Sequence, residues 1–498
     1  MIMTQEQAIL KAKDQLAQME QYIRQAGRHG EQVHQVEEGL WKRIMKLGRL
    51  MLTAYVADQG TGDLGPTLAY KDRQLNRLDK RHPKIYKSVF GELPPIERTV
   101  YGSRETQKHE VIPLDARLGL PESEFSYLLQ KWCQSKCVKE SYKNAKVDIE
   151  EILPISPSIL ALEDMNQSMA EDVEGFHKSE SVPIDNHPIC VITADCKGVR
   201  IRKDKPPEKD DARHARKRGP RPGNKREACV GGVYTIDRFV RSVDDVMDET
   251  LRKKNKANRP VPQNKQLRAE LTHRIDGVDS NGKDRVFDWF ADQLKMRDVD
   301  QLKEIVCVMD GEVCLWNKLN ALKKKLKIPI IPILDIYHVI EYLWEAGWSF
   351  YGNEPKLVEA FVTERTRRIL EGGVGRVIGG LRQMATKGDF NKAQRKTFHK
   401  VITYLQNHRH LMHYDTYLAK GYPIGSGVVE GACGYVVKDR MEGTGMRWRI
   451  PTAQSMLNLR CVYLNDEWND FQHYRIKNRV RNMYPYRNLV QQKYREAG

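Results

Sequence analysis

The chain has 498 residues, with 83 Lys+Arg against 66 Asp+Glu, a formal charge of +17, and it is 40% hydrophobic and 30% charged. At roughly 100 to 200 residues per domain this length suggests about three domains with ample buried core, which excludes a disordered or fibrous chain. The longest apolar runs, such as Leu50 to Ala57, fall far short of the roughly 20 residues needed to span a bilayer, and the opening MIMTQEQAIL lacks a signal-peptide layout. The expectation is a soluble intracellular protein with no membrane partner. A basic excess of this size predicts a polyanionic partner, because Lys and Arg that neutralise phosphates release condensed counterions.

Residues 4–59 read as two long helices broken at Gly27 to Gly30. Thr4 with Gln7 forms a capping-box pattern, and Ile9, Leu16, Met19 and Ile23, then Leu40, Trp41, Ile44 and Met45, recur at helical spacing. Residues 60–110 are rich in Gly, Pro and charge with little periodicity, and short helical stretches follow between Pro121 and Phe176. Residues 1–180 are therefore expected to be a mainly helical DNA-binding or dimerisation region, although no helix-turn-helix pattern stands out. Cys133 and Cys137 form the one close cysteine pair, with no second pair at zinc-site spacing, so they read as two thiols on a helix.

The pattern changes at residue 187. HPICVITADCKGVRIRK suggests two strands joined by a tight turn at Cys196 to Gly198, and ACVGGVYTI (228–236) a third. Between them lies a basic stretch, 204–226, too polar and Pro/Gly-rich to pack. A mixed helical region follows, then EIVCVM (304–309), an amphipathic helix near Trp316 to Leu326, and IPIIPIL (328–334). Three meandering strands followed by helix, strand, helix and strand predict an α/β fold, a ribonuclease H-like mixed five-stranded sheet. Its core would span 185–338 and 420–475, with a helical insertion at 339–419 and a basic tail at 476–498.

Three acids sit where phosphodiester chemistry would use them. Asp195 would end the first strand and Asp310 ends EIVCVM. Glu430 is the only charge between Val428 and Val437. In this topology the first and fourth strands are parallel neighbours, so Asp195 and Asp310 would emerge side by side, and a helix across that edge could deliver Glu430. Crowded carboxylates repel unless cations sit among them, and hard oxygen donors suit two Mg2+ or Mn2+ ions that promote in-line displacement at phosphorus. Each acid alone is more often a turn or cap residue.

Asp335 and His338, in ILDIYHVIEYLW, lie on one helical face and admit three readings: Asp335 as metal ligand in place of Asp310, the pair as a hydrogen-bonded brace for the site, or an N-cap Asp beside a satisfied His. The expected DNA contacts are Arg213, Arg216, Lys217, Arg218, Lys225 and Arg226 in the basic stretch, Lys438 and Arg440 after Glu430, and Arg447, Trp448 and Arg449. In the last trio an indole between two guanidinium groups could stack on a base.

ITADCKGVRI, KREACVGGVYTID, VMDGEVCLW, ILDIYHVIEYLWEAG, GSGVVEGACGYVVKDRMEGTGMRW and AQSMLNLRCVYLNDEWNDF resemble, in the same order, the bacterial insertion-sequence transposases of the ISKra group. The resemblance covers about residues 185–475. It implies a DDE transposase that binds the terminal inverted repeats of a mobile element, cleaves and joins DNA with two Mg2+ or Mn2+ ions, and works on nucleoid DNA in the bacterial cytoplasm. It maps the triad onto Asp195, Asp310 and Glu430, and the family's D-x-x-H onto Asp335 and His338. Many relatives carry a C-x-x-C zinc pair where this chain has Tyr101-Gly-Ser-Arg-Glu-Thr106, so zinc is not expected. Pairing two element ends implies a homo-oligomer, at least a dimer on double-stranded DNA. The competing readings are a structure-selective nuclease of the same fold and a non-catalytic DNA-binding regulator derived from a transposase.

Overall fold

The computed structural model describes residues 3–79, 82–103, 108–179, 185–202, 225–250, 259–275, 278–297 and 303–497. The expected DNA contacts Arg213, Arg216, Lys217 and Arg218 lie outside these. The chain forms two compact units, 1–178 with 466–498, and 179–465, rather than about three domains. Among the described residues no helix is long and apolar enough to cross a membrane.

The 179–465 unit is built on five strands: β1 Ile189–Arg200, β2 Lys225–Ile236, β3 Gln263–Leu271, β4 Glu304–Met309 and β5 Ile330–Leu334. Their spatial order is β5-β4-β1-β2-β3. β1, β2 and β3 form an antiparallel meander, whereas β4 runs parallel to β1 and β5 parallel to β4. The parallel pairs need crossovers, supplied by helices Gly282–Arg297 and Val313–Leu326. β1, β2, β4 and β5 are rich in Val, Ile and Cys and are buried through most of their length, as strands covered on both faces must be.

Two strand assignments from sequence need correction. Within HPICVITADCKGVRIRK (187–203), the described residues are not two strands with a turn at Cys196 to Gly198. They form one strand of 12 residues paired with β2 from Ile189↔Ile236 to Arg200↔Lys225. Its sharp-looking Lys197-Gly198 centre is extended, and Gly198 packs beneath the Lys225 side chain. The third strand of the meander is therefore β3, within the region read as mixed helical. Its polar sequence, QNKQLRAEL, is exposed or half-buried through Gln266 and buried at Leu267 and from Ala269 to Leu271. Helices Ile336–Tyr351, Pro355–Leu370, Val374–Lys387, Lys392–His408 and Tyr414–Ala419 occupy the predicted insertion.

The other unit opens with the two predicted helices, Gln5–His29 and Val33–Asp58. Thr4 caps the first with a full capping box, and Gly30 ends it in the left-handed region at φ 65°. The unit is less purely helical than its sequence suggests. Short strands Thr67–Tyr70, Arg73–Arg77, Tyr101–Gly102 and His109–Val111 form an antiparallel sheet where the sequence of 60–110 shows little periodicity. The expected basic tail is instead a packed part of this unit, and the boundary falls at 466. Helices Trp468–Met483 and Arg487–Ala497 contribute Val480 and Val490, and the connection between them Tyr484 and Tyr486, to a core with Leu68, Leu75 and Tyr101. Cys133 and Cys137 are buried on helix Tyr127–Cys137, where burial pushes the Cys133 thiol up to about 12.

Helix Gly282–Arg297 reaches β2 through Gly231, where a Cβ would come within 2.5 Å of Val286 and 3.1 Å of Phe290. Gly231→Val should overpack this contact and lower stability by about 1 to 3 kcal/mol, read as a fall in the denaturant midpoint. Wild-type stability in this variant would show that the helix does not seat so closely.

Candidate active site

The strand registers bring the predicted acids together. β4 pairs with β1 through Cys307↔Ile192, and with β5 through Met309↔Leu334. Extending those registers sets Asp310 beside Asp195, each three residues past the Cys307↔Ile192 pair, and beside Asp335, each one residue past Met309↔Leu334. Asp195 does not end its strand, as the sequence suggested. It sits inside β1 at the point where β4 stops, still paired with Val230 of β2 on the other side. The parallel ladder with β4 ends before Asp195, whose Oδ1 accepts from Cys196 N at 2.6 Å. The Thr193 hydroxyl donates to Val308 O at 2.7 Å where that ladder runs out.

Asp310 is half-buried and accepts a hydrogen bond from Glu312 N–H at 2.9 Å, while Trp316 Nε1 donates to its backbone carbonyl at 2.7 Å. Its carboxyl lies above the usual carboxylate range. Burial is the main cause, opposed by the Glu312 amide; the negative charges of Asp195 and Asp335 add to it and His338 partly offsets it. Among the described residues, neither Asp195 nor Asp310 forms an ion pair with Lys or Arg.

The structure shows the cap and brace contacts of Asp335 directly. It is fully buried, and both of its oxygens are occupied. Oδ1 caps helix Ile336–Tyr351 by accepting from Tyr337 N at 2.7 Å, and Oδ2 accepts from Ser426 N at 2.7 Å and from the Ser426 hydroxyl. Both the cap and the brace contacts are therefore present at this one carboxylate. The bond from Ile336 N to Ile424 O, 3.0 Å, strengthens the same junction. His338 is half-buried, with Nδ1 3.3 Å from Glu341.

Ser426 matters because it begins helix Gly427–Ala432, which carries Glu430. The Ser426 carbonyl accepts from Val429 N at 2.9 Å and Glu430 N at 3.1 Å. The helix lies on the Thr193 and Asp195 face of the sheet: a Cβ on Gly232 would meet Thr193 Cγ2 at 3.3 Å and Val428 Cγ1 at 4.0 Å. Glu430 is exposed, one turn ahead of Cys433. The buried Cys433 thiol donates to the Asp195 carboxylate. Burial first, then that bond and charge, hold the thiol above the usual cysteine range.

Two neighbours of the acids escaped the sequence reading. Tyr404, from the helical insertion, lies on Gly311, where a Cβ would fall 2.3 Å from its ring, and it stacks on Tyr342 with centroids 3.8 Å apart. The proximity of Asp310 and Asp335 contributes to raising its phenol, after burial. The hydroxyl is buried with no hydrogen-bond partner among the described residues. On the opposite sheet face, Cys196, Glu227 and Glu312 lie together, and the nearly buried Lys283 pairs with both carboxylates, 2.8 Å from Glu227 and 2.5 Å from Glu312. No spacing in the sequence links any of these positions.

The predicted DNA contacts divide by exposure. Lys225, Lys438, Arg447 and Arg449 are exposed, and Arg226 is half-buried. Trp448 and Arg440 are corrections. Trp448 is 6% exposed and its strand-like pairing with Ile201 prolongs β1, through Trp448 N to Arg200 O at 2.9 Å and Arg202 N to Trp448 O at 2.8 Å. Arg440 is 1% exposed, its guanidinium 4.9 Å from the Trp448 ring centre. Both side chains are core, where no base or phosphate reaches them.

No protein-family model matches the chain, and no curated protein matches it. Among solved structures, the Drosophila P element transposase strand transfer complex is similar to it with a TM-score of 0.31 and 10% sequence identity, over 69% of this chain and 93% of that one.

Replacing Asp335 with Ala removes a helix cap and leaves the buried Ser426 donors unpaired. The expected loss is about 2 to 4 kcal/mol, with proteolysis of the 420–432 segment as the local readout; unchanged stability and protection would contradict the anchor. For Asp310 the sign runs the other way. An acid whose folded-state pKa is raised binds its proton more readily when folded, so stability falls as pH rises from the ordinary carboxylate value through the raised one. In chelator, Asp310→Asn should therefore be more stable than the parent at neutral pH. The difference should vanish under acid conditions where both Asp forms are protonated, and a pH-independent difference in denaturation free energy would refute it.

Proposed function

We propose that this chain is a metal-dependent DNA transposase whose 179–465 unit is ribonuclease H-like, acting by phosphoryl transfer at the ends of a mobile element. One observation carries the reading: Asp195 and Asp310 occupy one row at the end of a parallel strand pair, and the helix bearing Glu430 is anchored beside them through Asp335 and Ser426. The β5-β4-β1-β2-β3 order with antiparallel first strands supports the fold assignment. The sequence resemblance to ISKra-group transposases supports the same activity.

Asp195, Asp310 and Glu430 would hold the divalent ions. The donor set fits Mg2+ or Mn2+: carboxylate oxygens, no Lys or Arg pair at the two aspartates among the described residues, and an Asp310 raised by burial and like charge that a cation would relieve. Bound there, such ions supply an activated water or 3′ hydroxyl and stabilise the leaving oxygen. The chain's own residues do the rest. The Glu312 amide fixes one Asp310 oxygen, the Cys433 thiol orients Asp195, and Asp335 takes no ligand role because it holds the Ser426 end of the Glu430 helix. Exposed Lys225, Lys438, Arg447 and Arg449 would track phosphates on double-stranded DNA, which includes the terminal repeats and the target. At least two copies would pair the element ends in the bacterial cytoplasm.

The test incubates the full chain, Mn2+ or Mg2+, labelled duplex from the DNA flanking its reading frame, and a target plasmid. Joined product supports the transposase, and cutting without joining identifies a nuclease. Glu430→Gln should reduce joining by roughly a hundredfold or more, while gel-shift affinity for the same duplex stays within about twofold. A variant that joins normally would sink the role given to Glu430. A wild-type protein that binds DNA but neither cuts nor joins would point to the regulator.

A further inference from the structure

A cavity of about 350 Å³ opens beside this site, within the roughly 300 to 1,000 Å³ range of small-molecule pockets. Gly425, Gly427 and Val428 form one wall, the chain immediately before Glu430. At Gly425 an added Cβ would fall 3.9 Å from Asp335 Oδ1. The cavity therefore shares the segment that the Asp335 anchor positions.

Its other walls combine two chemistries. Phe239, Pro260, Pro262 and Tyr422 offer flat apolar surface, and Arg241 and Arg259 offer guanidinium groups. Arg241 is 8% exposed, and its Nε is buried with no hydrogen-bond partner among the described residues. Its Nη2 donates to Tyr422 O at 3.2 Å, and the guanidinium lies 5.4 Å from the Phe239 ring centre. Both arginines share one carboxylate, Glu249, at 2.6 Å from Arg259 and 3.6 Å from Arg241. Asp237 also reaches the rim, where His187 Nδ1 lies 2.9 Å from it. A buried guanidinium with an idle N–H, half-compensated by a shared acid, is a costly arrangement unless an anion completes it.

We infer that this cavity receives a single nucleotide, its base or sugar against Phe239 and the prolines and its phosphate on Arg241 and Arg259. A guanidinium fork matches phosphate oxygens and an aromatic face accepts any base. The nucleotide can come from two sources, a residue extruded from the bound DNA or a free mononucleotide. The adjoining Glu430 helix favours the first, and in that form the inference rests on the transposase reading.

The experiment has two arms on the full chain. In one, duplexes from the flanking DNA carry 2-aminopurine at successive positions, and a several-fold fluorescence rise at one position on binding reports extrusion. In the other, calorimetry follows deoxyadenosine monophosphate. Arg259→Gln and Phe239→Ala, at exposed and half-buried positions, should each weaken the signal tenfold or more, with circular dichroism and thermal midpoint as folding controls. A signal in the first arm assigns the nucleotide to DNA, and one in the second alone assigns it to free nucleotide. Silence in both arms, or a signal unmoved by both variants, overturns the inference. Metal-dependent cutting is followed in parallel, which separates the two failures. Cutting with a silent pocket sinks the pocket alone, and mononucleotide binding without DNA binding or cutting sinks the transposase reading alone.

Discussion

A fully buried carboxylate, saturated by donors from two distant stretches of chain, holds this site in one arrangement. Asp335 lies at the end of β5 with no access to solvent, a position that is expensive for an anion unless donors saturate it. Three donors do so, and they belong to two distant stretches: Tyr337 N–H begins the next helix, and Ser426 N–H and O–H begin the helix of Glu430. The chain leaves the sheet at residue 335, runs through the helical insertion, and returns to the same carboxylate. Closing such a loop costs entropy that grows only slowly with its length, so a few charge-assisted hydrogen bonds suffice to pin it. The insertion can therefore be long without loosening the geometry at its base.

The insertion is also part of the site's walls. Gly311 follows Asp310 and has no room for a side chain because the Tyr404 ring occupies that space. The stack of Tyr404 on Tyr342 ties helix Lys392–His408 to helix Ile336–Tyr351, the one that Asp335 caps. Aromatic packing above and hydrogen bonding below thus constrain the same short row of acids from two directions. Burial inside this frame is the main reason the Asp310 carboxyl is raised, and an acid row held this firmly cannot spread to relieve the smaller repulsion from Asp195 and Asp335.

The sequence disclosed the parts of this arrangement that depend on local pattern. EIVCVM is a short β-branched run and forms β4 with those bounds, and Asp335 followed by an amphipathic stretch is a cap followed by a helix. What stayed hidden depends on partners far away along the chain. Lys197-Gly198 looks like a turn, yet β2 supplies a partner for every residue and keeps β1 extended. QNKQLRAEL has too few apolar residues to read as a strand, and it forms one because β2 already offers an edge. Arg447-Trp448-Arg449 has the composition of a nucleic-acid contact, but a backbone pairing with Ile201 turns the indole inward and leaves the two arginines outside. The acids themselves were readable as residues. Their side-by-side placement was legible from the strand order, whereas the fact that Asp195 lies inside β1 rather than at its end required the observed registers, which no local pattern encodes.

The two faces of the sheet treat their carboxylates differently, and the contrast bears on what the site is for. On one face Glu227 and Glu312 receive the ammonium of Lys283, a nearly buried cation that the chain itself provides. Near the other end of β1, Asp185 is likewise paired with Lys303 at 2.9 Å and further secured by Thr235 and Asn264, which hold its carboxyl well below the usual range. This protein has 83 Lys+Arg and uses them to settle acids that serve structure. Asp195 and Asp310 each accept a hydrogen bond from a backbone amide instead, from Cys196 at 2.6 Å and Glu312 at 2.9 Å, with the Cys433 thiol also beside Asp195; these are neutral donors that orient the carboxylates without cancelling their charge. Among the described residues, a fold rich in lysine and arginine thus leaves two adjacent aspartates without a basic partner, in contrast to the acids it neutralises elsewhere.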